Sequence, residues 1–293
     1  MIASIVIRTL NEAKNLNDLL TNIELQETYD LEIEVILVDS GSTDKTLNIA
    51  ESHRCKIIHI TREEFSFGRS LNKGCEAAIG EILVMISGHC VPTDSHWLQE
   101  LCQPLIDNRA SYTYGRQVGG SDSHYSECRI FAKYYPEESQ IQQVDFYCNN
   151  ANSAIKRAAW ARYEFDEKLT GLEDMELAKR LVNDGEKIAY VAEACIYHYH
   201  DESWSGIKRR FERESIALQA IMPQIHIGKR DLIRYIITSI WFDWKKAWQE
   251  KVFNEKAVEI FQYRFYQYWG IYAGNNDHRK LSHAQKEEYY FPN

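Results

Sequence analysis

Short apolar runs alternate with helical patterns four times before residue 90. The runs cover residues 2–7, 33–38, 56–60 and 82–86, and they are rich in the β-branched residues typical of strands buried on both faces. A stretch with apolar residues at helical spacing follows each of the first three runs. This alternation predicts a mostly parallel sheet with right-handed crossovers, because parallel strands need a long connection between them. The expected fold class is α/β, with a Rossmann-like sheet flanked by helices.

Polar clusters follow three of these predicted strands, at residues 9–12, 39–44 and 87–89. Ligands of parallel α/β sheets bind beyond the carboxyl ends of the strands, so we expect a binding site at this edge. The first strand-to-helix turn lacks GxGxxG, and neither GxxxxGKS/T nor GxSxG occurs. A glycine-turn dinucleotide site, a P-loop and an α/β-hydrolase are therefore disfavoured.

Composition excludes other classes of protein. The 34 basic and 43 acidic residues give a net charge of −9, which disfavours nucleic-acid binding because duplex affinity comes mainly from Lys and Arg. Seven cysteines, without a CxxC pair, indicate reduced thiols rather than a disulfide framework or a zinc site. We recognise no signal peptide and no membrane-spanning run, and we expect a soluble, cytoplasmic protein.

The second half of the chain is predicted to be mixed and then helical. Four further strands are expected over residues 111–118, 148–155, 187–191 and 195–199. A helix with an apolar stripe opens after Gly171, and from Ile207 onward the pattern is almost entirely helical. We expect one domain over residues 1–205 and a helical C-terminal extension over residues 206–293.

Two segments carry residues suited to bind a nucleotide. In residues 39–44 the carboxylate of Asp39 stands at a strand tip, where it can accept hydrogen bonds from a base or a ribose. In residues 65–74 the side chains of Arg69 and Asn72 lie three positions apart at a helix start, which suits a diphosphate. Each segment alone is also typical of a polar turn or a solvated helix face, so the indication comes from their combination.

Four motifs stand in order along the chain. They read Thr9-x-Asn11-Glu12, Asp39-Ser-Gly-Ser-Thr-Asp44, Gly68-Arg69-x-x-Asn72-x-Gly74 and Gly171-x-Glu173-Asp174. Together they resemble the inverting GT-A glycosyltransferases of family 2, over about residues 1–215. Residues 65–74 and 197–200 are most similar to the rhamnosyltransferase-type branch, which builds bacterial surface polysaccharides. The resemblance implies transfer of a sugar, with inversion, from a nucleoside diphosphate to a hydroxyl of a bacterial polysaccharide or a lipid-linked oligosaccharide.

The resemblance also implies which residues hold the substrates. Those assigned to the UDP-, GDP- or dTDP-linked donor are Thr9, Asn11, Glu12, Asp39, Ser42, Arg69, Asn72, Ser87 and Gly88. Those assigned to the acceptor or to the donor sugar are Asn150, Asn152 and His200.

One position departs from the family pattern. Where the family carries an Asp-x-Asp that holds the ribose and a divalent metal, this chain reads Ser87-Gly88-His89. Imidazole is a sound ligand for Mn²⁺ and a poorer one for Mg²⁺, so we expect a divalent metal on His89, with Mn²⁺ favoured. Two alternatives stay open. A protonated His89 could meet the diphosphate directly, or the site could be degenerate, in an inactive domain that serves as a nucleotide- or glycan-binding scaffold.

The catalytic residues that the family implies are Glu173 and Asp174, at a helix start. Asp174 resembles the general base that takes the proton of the acceptor hydroxyl, opposite the departing diphosphate. Two acids at a helix N-terminus also stabilise the helix by themselves. The resemblance also implies a histidine as a further metal ligand in this region, and we assign it to His198, with a buried core histidine as the alternative. We place His198 and His200 on opposite faces of a strand, so that only one enters the site.

Three tryptophans of the C-terminal region, Trp241, Trp244 and Trp248, recur at helical spacing. Such a stripe most often packs in the core or against a second copy of the chain, and we favour these interpretations. With Lys245 and Lys246 beside it, an interfacial helix on a membrane surface is the alternative.

Overall fold

A single eight-stranded sheet organises the first part of the chain, as seen in a computed structural model that describes residues 1–29 and 31–277. The strands are β1 (Ile2–Thr9), β2 (Glu32–Asp39), β3 (Lys56–His59), β4 (Ile82–Ser87), β5 (Cys90–Pro92), β6 (Tyr112–Gly119), β7 (Asn152–Lys156) and β8 (Ile188–His198). Their order across the sheet is β3-β2-β1-β4-β7-β6-β8-β5.

The N-terminal half of the sheet is parallel, as the alternation of strands and helices predicts. Strand β1 lies between β2 and β4 and is parallel to both, and β3 continues the parallel arrangement beyond β2. The carboxyl ends of β1, β2 and β4 therefore meet at one edge.

The other half of the sheet is mixed. Strand β7 is antiparallel to both of its neighbours, β4 and β6, while β6 and β8 run parallel. The short strand β5 pairs antiparallel with the end of β8. The two strands predicted within residues 187–199 are one continuous strand, β8.

Helices cover both faces of the sheet. In chain order the helices of the described residues are α1 (Leu16–Glu24), α2 (Thr46–Ser52), α3 (Phe67–Ala77), α4 (Trp97–Ile106), α5 (Tyr125–Tyr134), α6 (Arg157–Tyr163), α7 (Glu173–Asn183), α8 (Trp204–Ile221), α9 (Lys229–Gln249) and α10 (Phe253–Asn275). Ile5 and Ile7 of β1 pack in one core with α1 and α4, whereas Val6 points into the other core with α3 and α7. This division follows the two-residue period of a strand.

Two compact units make up the described chain. The first comprises Met1–Ser123, Ile130–Leu169 and Glu173–His200, and it contains the whole sheet. The second comprises His124–Arg129, Thr170–Leu172 and the described residues from Asp201 onward.

Helix α10 packs closely on α8 within the second unit. A Cβ atom added to Gly270 would lie 2.3 Å from the carbonyl oxygen of Lys208, and one added to Gly274 would lie 2.1 Å from that of Glu212. Only glycine permits this approach of the two backbones. In the described part of the chain no helix is both long and apolar enough to span a membrane.

Candidate active site

The ends of β1 and β2 form the first part of the site. Thr9 is the register partner of Asp39, and the Thr9 hydroxyl donates to Asp39 Oδ1 over 3.2 Å. Asp39 Oδ2 accepts from the backbone N–H groups of Gly41 and Ser42 at 2.9 and 3.0 Å, and the Ser42 hydroxyl donates to Oδ1. The buried carboxylate of Asp39 thus fixes the turn that follows β2. The structure brings these predicted nucleotide ligands together at the expected edge.

Asn11 connects this turn to the loop after β1. Its φ of +59° lies in the left-handed region, which asparagine tolerates better than most residues. The Asn11 N–H donates to the Ser42 hydroxyl and its side-chain oxygen accepts from the Thr43 N–H, both over 2.8 Å. These bonds hold the two loops in one arrangement, although Asn11 itself is exposed.

The segment Ser87-Gly88-His89 lies beside the end of β1. Ser87 is the register partner of Arg8, and His89 Nδ1 lies 3.0 Å from Glu12 Oε1. A Cβ atom on Gly88 would lie 2.9 Å from Glu12 Cγ and 3.2 Å from the Arg8 carbonyl oxygen. The glycine therefore permits the close approach that joins His89 to Glu12.

Three histidines form one cluster at the end of β8. Cys90 pairs with His198 in the β5–β8 register, and the Tyr199 N–H donates to the His89 carbonyl over 3.1 Å. The ring centroids are 5.1 Å apart for His89 and His198, 4.1 Å for His198 and His200, and 5.6 Å for His89 and His200. The prediction that His198 and His200 face opposite sides is wrong, because residues two apart in an extended chain lie on the same face. His200, predicted to contact a sugar, thus lies with the predicted metal ligands.

The donor set of this cluster fits a divalent transition-metal ion. Each ring offers one nitrogen, and these nitrogens lie within 4.8 Å of one another. Tetrahedral ligands at metal–imidazole bonds of about 2.1 Å lie about 3.4 Å apart, so modest side-chain rotations would close the cluster around an ion. Three imidazoles suit Mn²⁺, Co²⁺ or Zn²⁺, whereas Mg²⁺ and Ca²⁺ prefer oxygen ligands.

Asp174 lies buried at the start of α7. Its two oxygens accept from the backbone N–H groups of Asn150 and Met175, at 2.8 and 2.7 Å. The neighbouring Glu173 is also buried, and its carboxylate lies 3.3 Å from the Arg8 guanidinium. Two buried acids therefore share one cation from the end of β1.

Burial, and after it the negative charge of the neighbouring Glu173, raise the pKa of Asp174 to about 7. The two backbone hydrogen bonds and the Arg8 cation oppose this rise. A carboxyl group that titrates near neutrality, held rigidly by backbone donors, has the properties of a general base.

Among the predicted sugar ligands, Asn150 has a side-chain NH₂ group without a hydrogen-bond partner in the described structure. Its side-chain oxygen accepts from the hydroxyl groups of Tyr112 and Ser153, while its buried Nδ2 has no partner in the described structure. Asn150 therefore keeps a hydrogen-bond donor beside Asp174, and its contact with a sugar stays a prediction.

Asn152 is a core residue instead. It is fully buried, its oxygen accepts from Trp97 Nε1 over 2.8 Å, and its Nδ2 donates to the carbonyls of Arg116 and Ala194. All of its amide groups are used in bonds to α4 and to the neighbouring strands, which corrects its assignment to a sugar.

Asn72 has a structural role as well, whereas Arg69 stays accessible. The buried Asn72 amide bonds both backbone groups of Phe165, and it accepts from Trp160 Nε1 over 3.2 Å. Asn72 therefore anchors the loop after α6, a correction to its predicted contact with the nucleotide. Arg69 is half-exposed and donates to Glu167 Oε2 over 2.7 Å, which lowers the pKa of Glu167.

Sequence reasoning missed three residues of this region. Arg8 pairs with Glu173, Gln117 contacts His198, and Glu167 pairs with Arg69. Arg8 could have been found, because it ends an apolar strand at the predicted ligand edge. Gln117 and Glu167 gave no signal, since only tertiary contacts bring them near the site.

Solved glycosyltransferases share this fold. The mannosyltransferase PcManGT of Pyrobaculum calidifontis, solved with GDP-Man and Mn²⁺, aligns with a TM-score of 0.60 at 17% identity, over 98% of this chain and 87% of that one. TarS 1-349 of S. aureus, solved with UDP-GlcNAc, aligns with a TM-score of 0.55 at 14% identity, over 96% and 92%. The protein therefore has a GT-A fold, with a helical C-terminal region.

The family follows from the sequence match. The model of Glycosyl transferase family 2 matches residues 4–168, and the chain belongs to this family. The O-antigen chain rhamnosyltransferase WbaN of Salmonella anatum is 28% identical over 57% of this chain, and RfbN of Salmonella typhimurium is 24% identical over 68%. The matched regions span 57% and 66% of the lengths of those two relatives.

Proposed function

We propose that the protein is an inverting glycosyltransferase. It moves a sugar from a nucleoside diphosphate to a hydroxyl of a bacterial surface polysaccharide or of its lipid-linked precursor. One observation carries the proposal: a buried carboxyl group with a pKa near 7, that of Asp174, in a chain whose strand-end residues follow the family motifs. The similarity to two O-antigen rhamnosyltransferases supports a deoxyhexose among the candidate donor sugars.

Asp174 supplies the chemistry of the acceptor. Deprotonated, it takes the proton of the acceptor hydroxyl while that oxygen attacks the anomeric carbon and the diphosphate leaves from the opposite face. The backbone N–H groups of Asn150 and Met175 hold both carboxylate oxygens, so the base keeps its orientation between turnovers. Arg8 offsets the charge of Glu173 and keeps the Asp174 pKa from rising further.

The diphosphate carries two negative charges in the donor and gains a third as its bond to the sugar breaks, so charge neutralisation favours its departure. A divalent ion held by His89 and its neighbours would supply part of this neutralisation, and Mn²⁺ suits these ligands better than Mg²⁺ does. PcManGT and a mycobacterial glucosyl-3-phosphoglycerate synthase were each solved with Mn²⁺ and a nucleotide. The donor set of three imidazoles favours this reading over a bare imidazolium on the diphosphate.

Helix α9 offers a surface suited to an anionic bilayer. At 100° per residue, four exposed apolar residues and three exposed basic residues share an arc of about 120° without an acidic one. They are Ile233, Ile237, Trp241 and Trp248, with Arg230, Arg234 and Lys245. The predicted core packing of this stripe is wrong for Trp241 and Trp248, since they are 64% and 71% exposed, whereas the contact with a second copy stays a prediction. We propose a peripheral membrane contact here, which would place a cytoplasmic enzyme near a lipid-linked acceptor.

The test of the function is turnover of sugar nucleotides with and without the general base. A panel of UDP-, GDP- and dTDP-sugars is screened with Mn²⁺ for nucleoside diphosphate release, and the best donor is compared in wild type and Asp174→Asn. We expect the substitution to lower kcat about 10²-fold or more while donor affinity stays within a few-fold. Donor binding without turnover in the wild type would favour the scaffold alternative, and full activity of Asp174→Asn would remove the assigned base.

A further inference from the structure

We propose that His89, His198 and His200 form a three-imidazole centre that holds a transition-metal ion before any nucleotide arrives. The centre binds Zn²⁺ and Co²⁺ more tightly than Mn²⁺, and it binds Mg²⁺ most weakly. This inference rests on the proposed function, because only a nucleotide-sugar donor bound at this edge would place the ion beside a diphosphate.

Backbone pairing, rather than side-chain packing alone, brings the three ligands together. The antiparallel pairing of β5 with the end of β8 places His89 opposite the chain between His198 and His200. Three protein ligands on two paired chain segments can bind an ion with no help from substrate oxygens, because the pairing already brings them together.

The proton on His198 can be assigned from its neighbours. The Ala151 N–H donates to Asn149 Oδ1 over 3.0 Å, so this atom is the side-chain oxygen. The same oxygen accepts from Gln117 Nε2 over 3.0 Å, which turns Gln117 Oε1 toward His198 Nδ1 at 2.8 Å. A carbonyl oxygen only accepts, so Nδ1 of His198 carries the proton and the lone pair lies on Nε2.

His89 has an equivalent partner. Its Nδ1 lies 3.0 Å from Glu12 Oε1, and this carboxylate likewise draws the ring proton to Nδ1. An imidazole whose second nitrogen donates to a carboxylate or an amide oxygen is the usual arrangement around bound metals, because it fixes the ring and increases its basicity. Glu12 and Gln117 are therefore positioning residues of the centre.

The chemistry of the donors sets the preference for the ion. Affinity of nitrogen sites rises from Mn²⁺ through Co²⁺ toward Cu²⁺ and remains high for Zn²⁺. Mg²⁺ sheds its water reluctantly and takes carboxylate or phosphate oxygens, none of which belongs to the cluster of three rings. His89 is about one-third exposed, so an ion can enter from solvent on that side.

The experiment measures metal binding by the full chain without nucleotide. Protein freed of metal by chelator is titrated with Co²⁺, followed by its visible absorption, and with Zn²⁺ by calorimetry. We expect one ion per chain, displacement of Co²⁺ by Zn²⁺, and none by excess Mg²⁺. His200→Ala should weaken Co²⁺ binding at least tenfold, and Glu12→Ala about 10- to 100-fold, the usual effect of an outer-shell partner. His59→Ala, at an exposed histidine of β3, is the matched control and should bind as wild type does.

Two results would overturn the centre: no Co²⁺ or Zn²⁺ binding by the wild type, or binding unchanged in both His200→Ala and His89→Ala. Circular dichroism of each variant shows that it is folded. Failure of the centre differs from failure of the proposed function. Absent Co²⁺ and Zn²⁺ binding together with turnover of a sugar nucleotide would refute the centre and leave the transferase, whereas metal binding with no turnover on any donor would do the reverse.

Discussion

The single residue with the clearest consequence is Asp174, whose pKa lies near 7 instead of the ordinary value of about 3.9. A general base works deprotonated, so kcat/KM should fall as the pH falls below about 7. Glu173→Gln removes a neighbouring negative charge that raises the Asp174 pKa, and the acid limb of the pH profile should move to lower pH. Glu176→Gln, on the same turn but paired with Arg180, is the matched control. An acid limb that does not move in Glu173→Gln would show that another group titrates.

The donor edge is tested at Arg69 and Asp39. Arg69→Ala removes a half-exposed cation and should weaken nucleoside diphosphate binding by roughly 1–3 kcal/mol, as for a lost charged hydrogen bond. Asp39→Asn should weaken it similarly, and because Asp39 also fixes the turn after β2, an unfolding curve must accompany this variant. Calorimetry with UDP, GDP and dTDP gives the affinities. Lys73→Ala, one turn further along α3, should leave them unchanged. Two variants with wild-type affinity would place the donor elsewhere.

Among whole elements, the close packing of α8 and α10 allows a specific prediction about the stability of glycine variants. Gly→Ala within an exposed helix normally stabilises it, by up to about 1 kcal/mol. At Gly274 the new Cβ would meet the Glu212 carbonyl, so Gly274→Ala should destabilise the protein by roughly 1–3 kcal/mol in urea unfolding. Gly206→Ala in the first turn of α8 meets nothing closer than 3.4 Å, and it should be neutral or stabilising. Equal effects of the two substitutions would mean that α10 lies further from α8.

The elements differ in how far the sequence predicts them. Strands β1 to β4 follow from local patterns, because each apolar run and the helix after it lie within a few turns of chain. Strand β5 has three residues, too few to show the two-residue alternation of a strand. Strand β7 takes its antiparallel direction from pairing with β4 and β6. Such long-range pairing leaves no local trace.

The same contrast holds for the candidate site. Asp174 stands in a motif, and His89 stands where the chain departs from the family's Asp-x-Asp, so the sequence alone locates both. Contacts between segments distant in sequence turn the side chains of Asn72 and Asn152 into the core. Contacts of the same kind bring His200 next to His89. Arg8 was within reach of prediction, because its place at a strand end needs no tertiary information.

For the whole molecule, the exposed face of α9 predicts binding to a lipid surface. The protein should float with vesicles rich in phosphatidylglycerol at low salt and be released as salt rises, because the basic residues of this face are screened. The double variant Trp241→Ser, Trp248→Ser should lose flotation, whereas Tyr29→Ser, at an 84% exposed residue of the first unit, should not. Wild type that fails to float at any salt but sediments as a dimer, dissociated by the double variant, would assign the face to a second copy.

The two edge strands of the eight-stranded sheet also affect whether copies of this protein can associate by strand pairing at high concentration. An open edge offers unpaired backbone groups to any other strand, and long flat edges invite fibrous association. Here one edge is β3, with four residues, and the other is β5, with three, the last of which is Pro92. Proline has no N–H to donate, and Lys56 and His59 bound the opposite edge with polar, exposed side chains. Continuous sheet growth from copy to copy is thus disfavoured, and concentrated preparations should stay free of ordered aggregates.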